Sequence, residues 1–131
     1  MKTIDGMNSI MGRLASTTAK QLLKGEKIHI VNAEKVIITG DRDQIMNDYL
    51  ERRRRGSPHH GPFFPTRPEA IVRRCIRSML PYKSNRGRAA FKNLTVSTGH
   101  DGSSAEKTAQ KTVKTSYVTV GDVAETLGWK R

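Results

Sequence analysis

Residues 27–40, KIHIVNAEKVIITG, contain two short apolar runs parted by a polar turn. Ile28, Ile30 and Val31, then Val36, Ile37 and Ile38, are β-branched, which favours strands. The first run reads as a strand over Lys27–Asn32 and the second as a strand over Val36–Thr39, too short to be a helix. Continuous apolar runs of this kind fit strands covered on both faces, as in a parallel sheet. His29, between apolar neighbours, reads as a half-buried strand residue.

The flanking segments agree. Thr3–Gly6 reads as a short strand and turn, and Asn8 or Ser9 is placed to cap a helix. Met11, Leu14, Ala15, Ala19, Leu22 and Leu23 then share one helical face, and Gly25 stops the helix. Gly12, Ala15, Ser16 and Ala19 are small enough for close approach to a sheet. After the strand ending at Gly40, Asp41 is placed to cap a second helix with Ile45, Met46, Tyr49 and Leu50 as its buried stripe. Strand, helix, strand, strand, helix is the order of an α/β domain with helices on the faces of a mainly parallel sheet. A length of 131 residues suits one domain over 1–131.

The second helix runs into Arg52-Arg53-Arg54-Arg55. Four consecutive residues cover about one helical turn, so some must point away from the core. Residues 56–68 follow as a loop with four prolines and two glycines, which excludes regular structure. Its prolines restrain it, and loops this long in compact domains are usually functional. Phe63 and Phe64 can stack on bases or plug the loop onto the core; the flanking prolines favour plugging. No second pair of ligands lies at metal spacing from His59-His60, which leaves phosphate hydrogen bonding as their better use.

Thr66-x-x-Glu69 reads as a capping box and Pro68 as a first-turn proline. Ile71, Val72, Cys75, Ile76, Met79 and Leu80 form the apolar face of the next helix, with Arg73, Arg74 and Arg77 opposite. Cys75, the only cysteine, reads as a structural thiol; no internal disulfide is possible. Beyond Pro81, residues 82–88 read as a basic turn carrying Lys83, Arg86 and Arg88. Ala89–Lys92 reads as a short helix and Leu94–Ser97 as a strand. Residues 103–111 lack a clear period and read as a mobile connection. Residues 112–131 read as a C-terminal extension, with β character over 113–120. A helix from Gly121 to Leu127 follows, closed by Gly128, with Trp129 as an anchor.

The chain carries 24 Lys and Arg against 12 Asp and Glu, a net charge of +12. Twelve of those cations and one acid, Glu69, fall between Arg52 and Lys92, so that segment alone carries 12 − 1 = +11. Such a block calls for a polyanion partner. There is no basic amphipathic helix with large apolar anchors, no lipidation signal and no span-length apolar run, which argues against a membrane. No nucleophile elbow, P-loop or dinucleotide fingerprint is present, and Asp41, Asp43 and Asp48 do not form a paired acid site. Major-groove motifs are missing and aromatics are sparse, so shape-and-phosphate recognition of structured RNA is the better reading. The candidate RNA-binding residues are Arg52, Arg53, Arg54, Arg55, His59, His60, Arg67, Arg73, Arg74, Arg77, Lys83, Arg86, Arg88 and Lys92, with no catalytic or metal site and no cofactor.

Gly61-Pro62-Phe63-Phe64, Arg67-Pro68-Glu69, Ile76 to Lys83 and Arg86-Gly87-Arg88 closely resemble the universal ribosomal protein L-thirteen family of the large subunit. Met11 to Ser16 and Val31 to Glu34 look like the same family, and Tyr117 to Glu125 with Leu127 to Lys130 resembles its archaeal and eukaryotic branch. Ser78 departs from the pattern, where the family usually has glycine. The resemblance implies a three-layer α/β/α fold with a four-stranded parallel sheet. It implies a cytoplasmic, non-enzymatic protein that binds large-subunit rRNA beside neighbouring ribosomal proteins and supports subunit assembly and translation, without membrane or small-molecule substrate. A regulatory RNA binder outside the ribosome and a small nucleotide-acting α/β enzyme are the alternatives.

Overall fold

A computed structural model describes residues 2–99, 105 and 114–130. Strands β1 (Lys2–Asp5), β2 (Ile28–Val31) and β4 (Leu94–Val96) form one sheet, and β3 (Ile37–Thr39) pairs with β5 (Tyr117–Thr119) in another. The helices are α1 (Met11–Leu23), α2 (Arg42–Arg54), α3 (Pro68–Ser78), α4 (Asn85–Lys92) and α5 (Val120–Leu127).

The order β1-β2-β4 is parallel throughout, with Ile4 opposite Ile30 and Ile30 opposite Val96. Ile28, Ile30 and Val31 are fully buried, as a strand covered on both faces requires. His29 is half-buried, and its Nε2 lies 2.8 Å from Ser97 Oγ, just past β4.

Among the described residues the parallel sheet has three strands, where the resemblance implies four. Asn32, in the left-handed region at φ 56°, turns the chain out of β2 into a 3-10 turn, Ala33–Lys35. The Asn32 amide donates to Asp5 Oδ1 at 2.9 Å, which holds that turn against the end of β1. Among the described residues β3 keeps one parallel bridge, Ile10 to Ile37, and gives its ladder to β5, antiparallel, with Ile38 opposite Val118.

Helix starts also differ from the sequence reading. Ser9 is fully buried and its hydroxyl donates to Asp5 O at 3.3 Å, so Ile10 takes the cap position of α1. Pro68 occupies the first turn of α3, which places Arg67 at the cap; Thr66 falls one residue outside and makes no capping box. Asp41 does occupy the cap position of α2, without a side-chain cap bond. α4 begins at Asn85, inside the segment read as a turn, because Ser84 Oγ accepts from Gly87 N at 3.2 Å. Gly12 is exposed, with nothing near its missing Cβ, and makes no close approach.

The apolar faces otherwise fall as the periodicity predicts. Leu14, Ala15, Ala19 and Leu22 of α1 meet Ile71, Val72 and Ile76 of α3 in one core. Met79 is the exception: it lies just past the end of α3 and is exposed. Ser78 is exposed and donates to Cys75 O at 2.6 Å, so its hydroxyl turns back onto its own helix. Val120, Val123 and Ala124 of α5 are fully buried against α2, α3 and the 3-10 turn, and Gly128 closes α5 at φ 115°. Trp129 packs against this core. The connection expected over 103–111 lies outside the described residues, Ala105 apart.

Candidate nucleic-acid interface

α2 delivers Arg52, Arg53 and Arg54 in its last turn, where the helix dipole favours cations, and Arg55 caps it. All four are exposed, and Arg55 Nη2 lies 2.8 Å from Glu51 Oε1. The loop that follows is closed on itself. Ser57 N donates to Gly61 O at 3.1 Å and Gly61 N donates to Ser57 O at 2.8 Å. His59 and His60 stand exposed at its turn.

The two phenylalanines of the loop separate. Phe64 plugs inward, edge-on to Tyr49 of α2 with ring centres 5.8 Å apart. Phe63 does not plug: it is 63% exposed.

Aromatic rings organise the arginines. The Arg52 guanidinium lies 5.1 Å from the centre of the Tyr49 ring and that of Arg74 lies 5.0 Å from the centre of Phe64. Also on α3, Arg73 sits 4.4 Å from the Phe91 ring and Arg77 sits 4.0 Å from Tyr82. Tyr82 and Phe91 are themselves edge-to-face at 5.6 Å. Each ring pair therefore carries two stacked guanidiniums. Stacking holds a planar fork in place while leaving its N–H groups free to bind an anion.

Three hollows run along this surface. One, about 280 Å³, is lined by Arg52, Arg55, Pro62, Phe64 and Arg74. A second, about 370 Å³, lies between Arg53–Arg55 and the loop at Gly56–Pro58, Pro62 and Phe63. The third, about 730 Å³, is lined by Arg74, Arg77, Ser78 and the turn from Leu80 to Ser84. Shared residues Arg55, Pro62 and Arg74 join them into one track. His59, His60, Arg67, Arg73, Arg86, Arg88 and Lys92 line none of the three. Arg86 instead donates to Leu23 O at the end of α1 (3.4 Å), and Arg88 Nε donates to Tyr82 O at 3.2 Å, bracing the turn.

Burial raises the pKa of the Tyr49 hydroxyl, against the opposing pull of Arg52. Burial likewise raises the Cys75 thiol, so at neutral pH it is a protonated structural group. Among the described residues no cluster of three or more His, Cys, Asp or Glu has the placement to hold a metal ion. None of the described helices is long and apolar enough to cross a membrane. Tyr49, Tyr82 and Phe91, the rings that hold these arginines, are residues of the candidate interface that sequence reasoning missed. Only Tyr49 with Arg52, three apart on one helix, left a local signal.

Residues 1–103 match the family model for Ribosomal protein L13. Large ribosomal subunit protein uL13 of Methanocaldococcus jannaschii is 46% identical over 136 residues, covering 99% of this chain and 99% of that protein. The proteins of the same name from Archaeoglobus fulgidus and Methanopyrus kandleri are 45% and 42% identical, each over 97% of this chain and 87% and 86% of their own lengths.

Proposed function

This chain belongs to the ribosomal protein L13 family, and on that premise we propose that its arginine track grips folded rRNA within the large subunit. Its function is that of a structural constituent of the large ribosomal subunit, in the cytoplasm, and its family is not one of enzymes. The finer reading concerns how it holds its partner. Arg52 to Arg55, Arg74, Arg77 and Lys83 neutralise backbone phosphates along the track. His59, His60, Arg67, Arg73, Arg86, Arg88 and Lys92 extend the positive field around it, and neighbouring large-subunit proteins complete its surroundings.

The observation that carries this reading is the stacking of four guanidiniums on two aromatic pairs. A stacked guanidinium has lost much of its rotamer freedom before any ligand arrives, so less entropy is lost on binding. Its remaining donors suit the bidentate geometry of phosphate oxygens. Recognition by backbone and shape is how structured RNA is usually held.

The test is binding to large-subunit rRNA fragments and to an unrelated perfect RNA duplex across a salt series. Phosphate contacts predict steep salt dependence for both. One rRNA fragment should remain bound at salt that strips the duplex. Equal loss of both would reduce the track to a general polyanion surface.

A further inference from the structure

Phe63 is the phenylalanine left mostly outside the core, at 63% exposure. It sits on a loop that is fixed rather than loose. The Ser57–Gly61 bridge closes the loop beneath it, and Phe64 next door is locked against Tyr49. The ring also rests over Gly61: a Cβ built there would lie 3.2 Å from two ring carbons, Cδ2 and Cε2. Gly61 has φ 77°, so both its conformation and the ring above it call for glycine. The outcome is a rigid aromatic plate held out from the protein.

Its surroundings select the partner. Phe63 lines the same hollow as Arg53, Arg54 and Arg55. An apolar ring beside three adjacent guanidiniums is a poor seat for an apolar protein face, because docking one would strip water from the cations without compensation. A nucleotide satisfies both parts: its phosphate meets the arginines and its base lies on the ring.

We propose that Phe63 is a stacking platform for one unpaired base of the bound RNA. This rests on the rRNA-binding reading above and adds to it an interaction of different physics. Stacking carries no net charge, so it contributes affinity that salt does not screen. It also requires a base that is free of a duplex, and so favours a bulge, loop or junction over continuous helix.

The test compares Phe63→Ala, Phe63→Leu and Phe63→Tyr with the native chain, on large-subunit rRNA fragments, over a salt series. Phe63→Ala and Phe63→Leu should weaken binding roughly 5- to 150-fold, the range of single base–aromatic stacks. The slope of log K against log salt should stay unchanged, and Phe63→Tyr should bind within about twofold of native, since the ring survives. Thermal midpoints should match, because little of this side chain is buried. Native affinity in Phe63→Ala would overturn the proposal and leave the ring for a protein neighbour. A changed slope would also overturn it, since the ring would then act only by positioning the arginines. Failure of the native chain to bind any fragment would remove the rRNA-binding reading itself, and this inference with it.

Discussion

The Arg77 guanidinium lies 4.0 Å from the centre of the Tyr82 ring, which ties the exposed face of α3 to the turn that enters α4. Arg73 repeats the arrangement one helical turn earlier on Phe91 of α4. Charge and stability therefore meet in the same two side chains. Arg73→Ala with Arg77→Ala should weaken rRNA binding and lower the salt slope by about one for each phosphate left without its cation. The pair should also lower Tm by about 3–10 °C, since each exposed cation–π pair is worth roughly 0.5–1 kcal/mol. Arg77→Lys should keep the slope and lose affinity, because the charge stays and the planar fork goes. Filter binding over a salt series, paired with thermal melts, checks both. An unchanged slope in the double alanine variant would remove this face from the interface.

Gly87 and Gly12 should respond to alanine with opposite signs. A Cβ on Gly87 would collide with Pro81 O and Pro81 C, both backbone atoms that cannot swing aside. Gly87→Ala should therefore destabilise by about 2–3 kcal/mol and lower Tm by about 6–15 °C. It should also disturb Lys83 and Arg88 through the displaced turn. Gly12 lies exposed in the first turn of α1 with nothing near the added methyl. Gly12→Ala should raise stability by up to about 1 kcal/mol. Denaturant midpoints of the two variants settle the signs.

The family-model match ends at residue 103, yet α5 beyond it is core. Val120, Val123 and Ala124 are fully buried, and Val118 of β5 is 1% exposed. Val123→Ala should cost about 2–3 kcal/mol, from the apolar volume removed and the cavity left. A chain ended at residue 103 should show no cooperative thermal transition, since α2, α3 and β3 are each deprived of a packing partner. A sharp calorimetric transition in that truncated chain would show that β5 and α5 are dispensable.

Alkaline pH should destabilise the fold in two steps. Burial holds the Cys75 and Tyr49 pKa values above their ordinary values of 9.0 and 10.0. The unfolded chain then releases these protons first, so it binds fewer protons than the native state and stability falls as pH rises. The decline begins near pH 9 with Cys75 and continues from near pH 10 with Tyr49. Cys75→Ala should delay the onset to about pH 10. Melts from about pH 8 to about pH 11 in the native and variant proteins measure it; identical onsets would sink the assignment to Cys75.

Local periodicity made the strand Ile28–Val31 and the helix Pro68–Ser78 legible, because each pattern lies within a single element. Partner choice is non-local and was not legible. The run Val36–Ile38 announces a strand but not its direction, and its partner β5 stands at the far end of the chain. Gly87 lowers helix propensity, so Arg86-Gly87-Arg88 reads as a turn. The structure needs glycine there because Pro81 O occupies the space of a Cβ. The cationic block was plain from charge alone. Its division into arginines stacked on rings, an arginine turned to Leu23 O and another bracing Tyr82 O depends on packing between α2, the loop, α3 and α4.

Phe63 and Phe64 are neighbours in sequence with opposite surroundings, and substitution should separate stability from binding. Phe64 packs edge-on to Tyr49 and beneath Arg74, and joins the core cluster from the loop. Phe64→Ala removes that seat. It should destabilise by roughly 2 kcal/mol, below the roughly 3–5 kcal/mol of a fully enclosed phenylalanine, because the site is only partly buried. The loop should then become accessible to proteolysis near Pro58–Gly61, and Arg52 and Arg74 should lose their fixed spacing. Phe63→Ala should leave Tm within about 2 °C, since an exposed ring contributes little to the core. Limited proteolysis with thermal melts on both variants reads the difference. Equal melting of the two variants would mean that Phe64 does not anchor the loop, and the track from Arg52 to Arg74 would need another support.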